Sequence, residues 1–285
     1  MSFWESSFLW RDALIVSVLA AAVLGYLGIW IVLKRVVYVP LALSGVSSLG
    51  VVVAALLCGV LGAGDAQHAV GHGAGEGLLF LLDPAVFSLV CALAAAFYFA
   101  ARPQHGDHAV VVAYLVSSAA VLLLGTFVRQ DLHDLQSILF GNAVLVETHQ
   151  ILLVGGAALV TGVIHWLFYR PFLFVSFDAP TAGAAGFATF RTEALLYVTF
   201  ALMISVATRA LGALPAFGLA VLPALTALRF ARSLRGAAVV AVPLGVACAA
   251  CGYYLSFVLE LPTGASMVGL AGVIYLISLG IPRRI

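Results

Sequence analysis

The chain has 285 residues, of which 64% are hydrophobic and only 9% charged, with a formal net charge of +1 and a mean hydropathy of +1.17. No soluble domain of this size carries that balance, so the chain reads as an integral membrane protein, in contact with lipid and without a nucleic-acid partner.

Crossing about 30 Å of hydrocarbon takes about 20 apolar residues in helical form, and charges and Pro/Gly breaks divide the sequence into segments of that length. Nine candidates stand in order: Asp12 to Leu33, Pro40 to Leu61, Gly77 to Ala101, His108 to Phe127, His149 to Tyr169, Glu193 to Leu211, Leu214 to Leu228, Gly236 to Val258 and Thr263 to Ile281. The seventh is short and carries Pro215 and Pro223. It is either a full span or a broken, re-entrant helix sheltered by its neighbours, which leaves eight or nine spans. The fold class is therefore all-α, a polytopic bundle in a single transmembrane domain, 1–285. No secretory signal stands at the N-terminus, where Glu5 and Asp12 accompany Arg11.

Lys and Arg near span ends stay on the cytoplasmic side. With the N-terminus outside and the C-terminus cytoplasmic, Lys34, Arg35, Arg102, Arg170, Arg191, Arg229, Arg232, Arg235, Arg283 and Arg284 fall inside, against Arg11, Arg129 and Arg209 outside. The interruption between the fifth and sixth spans, Tyr169-Arg170-Pro171 through Ser176-Phe177-Asp178-Ala179-Pro180 and Gly186-Phe187 to Arg191, is then cytoplasmic. Its Asp and its Ala/Thr/Gly run suit a short helix outside the bilayer that a partner could grip; a solvated connector is the plain alternative.

Several chemistries are disfavoured. Cys58, Cys91, Cys248 and Cys251 all lie in expected spans, where they read as small packing residues, although Cys248 and Cys251 share a helix face. Ion-coupled carriers need ionisable groups near the bilayer midplane. Here only Asp83, near the outer end of the third span, and His165, near the inner end of the fifth, stand within apolar sequence. His165 reads as a hydrogen-bonded packing residue, and no second intramembrane histidine pairs with it to hold a haem. An intramembrane enzyme would need a second catalytic group beside it. The phosphate-binding signature Gly-x-x-x-x-Gly-Lys-Ser/Thr is missing, because the one lysine, Lys34, follows Leu33. Any ATP hydrolysis that drives transport resides on another subunit.

Lys34-Arg35 followed by Ala42-Leu43-Ser44, Phe140-Gly141, Arg170-Pro171, Ser176-Phe177-Asp178, Leu222-Pro223-Ala224 with Thr226-Ala227, and Leu261-Pro262-Thr263-Gly264 stand in that order along the chain. In this the chain resembles the membrane permease subunits of the bacterial ABC importers for zinc, manganese and iron. The resemblance implies a multi-pass inner-membrane subunit that is not itself an enzyme. It also implies a homodimer of permeases, a separate ABC ATPase subunit and an extracytoplasmic metal-binding protein. The resemblance further implies no stably held cofactor, with a divalent metal ion as the expected cargo. Ser176, Phe177, Asp178, Ala179, Pro180, Gly183 and Gly186, within a segment at about 176–190, match the family's coupling helix.

One departure bears on the cargo. The family's opening block reads Asp-Ala-Leu-Ser-His, with its carboxylate and imidazole facing the translocation path, whereas this chain has Leu41-Ala42-Leu43-Ser44-Gly45. Leu41, Ser44 and Gly45 remain the expected path positions, yet Leu41 and Gly45 offer no ligand for a divalent ion. Either other residues handle the ion or the substrate is not a metal. His68 and His72, with Asp65 and Glu76, and Glu147 and His149, with Asp131, His133 and Asp134, lie in the two outer loops as candidate entrance ligands or as plain solvated polar residues. Within His105-Gly106-Asp107-His108, Asp107 reads as an acid at a helix N-terminus, favoured by the dipole.

Overall fold

In a computed structural model, the described residues are 7–60, 83–102, 106–127 and 148–281. They form α1 (Ser7–Leu33), α2 (Val39–Val60), α3 (Pro84–Ala101), α4 (Gly106–Gly125), α5 (Thr148–Leu167), α6 (Tyr169–Phe177), α7 (Ala179–Ala184), α8 (Thr189–Leu211), α9 (Ala213–Phe230), α10 (Leu234–Leu259) and α11 (Thr263–Gly280). All but α6 and α7 are long and apolar enough to cross a membrane, nine in number. The seventh candidate is thus a continuous 18-residue helix, α9, with Pro223 inside it. Asp83 is not inside the third span: it is the N-cap of α3, its carboxylate accepting from the Ala85 N–H at 2.6 Å, with Pro84 next in the chain.

The helices sort into a buried centre and a more exposed shell. The share of buried residues is 72% in α8 and 61% in α1, against 22% in α4 and α5. α1 packs on α9 and α10, α2 on α3 and α4, and α8 touches both groups. Because lipid is as apolar as a leucine side chain, this packing rests on close fit, which small residues allow. Gly28 shows how close: a Cβ there would lie 1.7 Å from the Ala220 carbonyl oxygen of α9.

Turns that reverse the chain are stapled by backbone geometry. Arg35 takes the left-handed conformation at φ 61°, and the Val36 N–H reaches the Ile31 carbonyl at 3.1 Å, which closes α1 and sends the chain straight into α2. Glu260, at φ 54°, ends α10 the same way, with the Leu261 N–H on the Ser256 carbonyl at 3.1 Å. The Leu261-Pro262-Thr263-Gly264 motif is that turn.

Contacts across helix ends establish which termini lie together. Lys34 at the end of α1 pairs with Glu193 at the start of α8, and Phe97 of α3 meets Phe190 with ring centroids 5.8 Å apart. Arg229 of α9 reaches the Leu279 and Ile281 carbonyls at 3.4 and 3.5 Å, and Leu167 shares a cleft with Arg235. Among the described residues, Lys34, Arg35, Arg102, Arg170, Arg191, Arg229, Arg232 and Arg235 therefore collect at one end of the bundle. Arg11 and Arg209 stand at the other, where Asp83 acts electrostatically on Arg209.

Candidate functional site: the segment at the basic end and the face of α2

The stretch between the fifth and sixth spans is helical rather than a loop. Asp178, in extended conformation at φ −151°, ends α6 by donating its N–H to the Phe174 carbonyl at 3.0 Å and starts α7 with its side chain. Its Oδ1 accepts from the Thr181 N–H at 3.1 Å, and its Oδ2 accepts from the Thr181 hydroxyl at 2.6 Å. Those two bonds, the side-chain one foremost, hold its carboxyl below the usual carboxylate range. Pro180 sits in the first turn, where a missing N–H costs nothing.

α7 closes as tidily as it opens. Gly186 lies at φ +88°, a region that a β-carbon disfavours, and the Phe187 N–H then reaches back to the Ala182 carbonyl at 3.0 Å. This geometry stacks Phe187 on Phe174, with centroids 5.5 Å apart and planes 20° from parallel. Ala182 is buried, whereas Phe177, Asp178, Thr181, Gly183 and Ala184 are exposed and Ser176 and Ala179 are half-buried. The result is a short helix with a small, open outer face. A β-carbon at Gly183 would meet only the Thr189 methyl at 3.5 Å, an ordinary contact.

Behind it, aromatic side chains tie this segment to the centre of the bundle. Phe172 of α6 is fully buried, with its ring 4.9 Å from His165 of α5 and 6.1 Å from Trp30 of α1. Trp30 also meets His165 at 5.7 Å and Tyr169 at 5.8 Å, and Tyr26 meets His165 at 5.3 Å. His165 has the partner that its sequence position did not suggest: its Nε2 lies 3.0 Å from Thr199 Oγ1 of α8. That hydroxyl donates its proton to the Leu196 carbonyl at 2.7 Å, so His165 Nε2–H is the donor and Nδ1 is a bare acceptor, buried and unpartnered among the described residues. The Lys34–Glu193 pair lies beside this cluster, with the ammonium 5.9 Å from the Tyr197 ring centroid. A lone lysine and a glutamate stand at the mouths of two spans, but nothing in the sequence joins the one to the other.

On α2, Ser44 and Gly45 are buried and Leu41 is half-buried. The Ser44 hydroxyl donates to its own helix, to the Leu41 carbonyl at 2.9 Å. A Cβ at Gly45 would come within 2.5 Å of Ser117 Oγ on α4, and Leu41 shares that face one turn earlier. Ser47 bridges to Ser205 of α8 at 2.9 Å, while Ser48 Oγ and Thr208 Oγ1 are buried without a partner among the described residues. These hydroxyls escaped a sequence reading that looked for carboxylates and imidazoles.

His68, His72 and Glu147 lie outside the described residues, as do Asp65, Glu76, Asp131, His133, Asp134, His105 and the side chain of His149, whose backbone opens α5. Among the described residues no group of three or more His, Cys, Asp or Glu side chains converges to hold a metal. Cys248 is buried and Cys251 exposed, both as free thiols.

A sequence-family model described as the ABC 3 transport family matches residues 6–281. The manganese transport system membrane protein MntC of Listeria monocytogenes is 27% identical over 274 residues, which covers 96% of this chain and 90% of that one. The chelated iron transport system membrane protein YfeC of Yersinia pestis is 31% identical over 147 residues, half of this chain (50%) and 49% of that one. Among solved structures, PsaBC from Streptococcus pneumoniae in complex with Fab superposes with a TM-score of 0.77 over 95% of this chain and 91% of that one, at 24% identity, a likeness of fold.

Proposed function

The chain belongs to the ABC 3 transport family, and on that premise we propose that it is the permease subunit of an ATP-driven importer for a divalent metal ion. It is a multi-pass protein of the bacterial inner membrane, with nine apolar helices among the described residues and membrane transport relatives. Manganese is the first cargo to test, ahead of zinc and iron(II), because full-length relatives are named for manganese transport.

The observation that carries the reading is α7: a capped, outward-facing helix at the basic end, held to α1, α5 and α8 through α6 and its buried Phe172. The basic end is cytoplasmic by the charge rule, so the N-terminus lies outside. In this reading Ser176, Phe177, Asp178, Ala179, Pro180, Gly183 and Gly186 form the surface on which a separate ATPase subunit docks. Closure of two ATPases presses on α7 in each half of a permease homodimer. Phe172 passes that displacement to Trp30 and His165, and the Lys34–Glu193 pair keeps α1 and α8 moving together. An effector shifts such an equilibrium only by contacting the two states differently, and a rigid, capped helix suits that task better than a solvated strand.

For the cargo, Leu41, Ser44 and Gly45 lie along the proposed path on α2, with His68, His72, Glu147 and His149 as entrance ligands supplied by the outer loops. An extracytoplasmic metal-binding protein delivers the ion. Hydroxyl and carbonyl oxygens are the donors that α2 and α8 can offer, and oxygen donors suit manganese better than they suit softer ions. A second reading, ATP-driven transport of a non-metal substrate, draws on one observation: the side chains at Leu41 and Gly45 carry no donor atoms.

The test is uptake of manganese, zinc and iron(II) into proteoliposomes containing the permease with its ATPase and binding protein, with and without ATP. ATP-dependent accumulation of one metal is the expected result. An assembled, ATP-hydrolysing complex that accumulates none of the three selects the non-metal reading. Uptake without ATP that collapses with the proton gradient would instead mark an ion-coupled carrier.

A further inference from the structure

At the basic end, between α5, α6 and α10, an open cleft of about 470 Å³ is lined by Trp166, Leu167, Tyr169, Arg170, Pro171 and Arg235. Among the described residues no carboxylate lines it and neither arginine has an acidic partner. Both arginines occupy the second residue of a helix, Arg170 in α6 and Arg235 in α10. Arg235, in the first turn of α10, sits at the positive end of that helix's dipole, an unfavourable placement that an anion relieves. Arg170 instead directly follows the C-terminal end of α5, where the Phe168 N–H reaches the Ile164 carbonyl and the Phe172 N–H the Phe168 carbonyl, and contributes its charge alone.

The flanks of the cleft say which anion fits. Trp166 is 80% exposed and Leu167 61% exposed, and an exposed tryptophan beside arginines is the signature of the membrane–water interface. Deeper along α5, Val163 and Leu159 continue the exposed apolar face, as does Val239 one turn beyond Arg235 on α10. Charge at the interface with apolar walls running from it into the bilayer matches an anionic phospholipid, with its phosphate between the guanidiniums and its acyl chains along the walls. A soluble phosphate would leave those walls unused, and an ATPase surface would meet exposed hydrocarbon-facing side chains.

We infer that Arg170 and Arg235, with Trp166 and Tyr169, form a binding site for the headgroup of an anionic phospholipid. The inference depends on the chain spanning a membrane and not on its cargo, so it stands or fails independently of the transport reading.

The test uses the full chain in mixed micelles, with native mass spectrometry counting retained phosphatidylglycerol against phosphatidylcholine. Each arginine near an anionic lipid contributes about fivefold in binding. Wild type should retain phosphatidylglycerol in preference, Arg235→Gln should lose about fivefold of that preference, and Arg170→Gln with Arg235→Gln should approach none. Arg232→Gln, an exposed arginine outside the cleft, should match wild type. Undiminished retention in the Gln variants would overturn the site, and so would equal displacement of the lipid by inorganic phosphate at the same concentration. If the double variant fails to fold, the exposed single change Arg235→Gln carries the test, and an unchanged preference there overturns the site.

Discussion

Gly28→Ala adds one methyl where α1 crosses α9. The new Cβ would stand 1.7 Å from the Ala220 carbonyl oxygen and 2.9 Å from both the Ala220 carbonyl carbon and the Ala224 Cβ. Real β-carbons do not approach below 3.0 Å, and the nearest obstruction is helix backbone, which cannot rotate aside. The two helices must therefore part by about an ångström along the seam, giving up a fraction of each dispersion contact there. Overpacking of this kind costs about 1–3 kcal/mol, and a backbone obstruction places Gly28→Ala near about 3. The matched control is Gly156→Ala on α5, which would meet nothing within 4 Å and gains about 1 kcal/mol of helix propensity. Thermal unfolding of the detergent-purified chain, followed by tryptophan fluorescence and by size exclusion after heating, should show Gly28→Ala lower in Tm by about 6–10 °C. Gly156→Ala should be unchanged or slightly higher. A Gly28→Ala protein melting with wild type, or a Gly156→Ala protein losing as much, would refute the claim that backbone approach of α1 to α9 organises the bundle.

The remaining expectations concern the segment at the basic end and the face of α2. Lys34→Met should destabilise the chain by about 2–4 kcal/mol, because it leaves Glu193 half-buried without its partner, while Lys34→Met with Glu193→Leu should recover most of the loss; a double variant no better than the single would show that the pair is not what matters. His165→Phe should be close to neutral in Tm, since it keeps the ring packing and removes a buried unpaired Nδ1, whereas His165→Ala should cost about 3 kcal/mol through the cavity it leaves. Asp178→Ala should uncouple ATP hydrolysis from uptake without changing the amount of permease in the membrane, and Gly183→Leu should do the same; normal uptake by both would remove α7 from the coupling role. Because the Asp178 carboxyl is held below the ordinary range, its contribution to α7 is fully present above that range and is lost as pH falls through the lowered value. Protection of the α7 amides from hydrogen exchange should therefore be flat from neutral pH down to the carboxylate range and fall only below it. Gly45→His should lower Tm unless Ser117→Gly is introduced with it, because Ser117 Oγ lies 2.5 Å from the β-carbon that histidine would bring; equal stability of the two variants would mean that α2 and α4 are not in contact at that level.

The number and placement of the spans were legible in the sequence because hydrocarbon imposes a length and excludes charge, and both constraints act residue by residue. The helical bounds moved by only a few residues wherever caps such as Ser233 or Gly212 set the end. Ser176 through Gly186 also stood out, since a charged, small-residue stretch between apolar runs has to lie outside the bilayer. Pairings between distant positions were not legible. His165 and Thr199, Lys34 and Glu193, Ser47 and Ser205, and Gly28 with Ala220 are each far apart in the chain, and apolar helices without a polar stripe do not declare which face meets which neighbour. Asp83 shows the limit at single residues: composition put it inside a span, and only the geometry of α3 made it a cap. The sequence by itself determined that this protein crosses the membrane many times and where, because solvent exclusion is a local property. The tertiary structure alone decided which helices form the buried centre, how α7 is anchored to it and where arginines from α6 and α10 share a cleft, because those outcomes depend on the close fit of surfaces that the chain brings together only when folded.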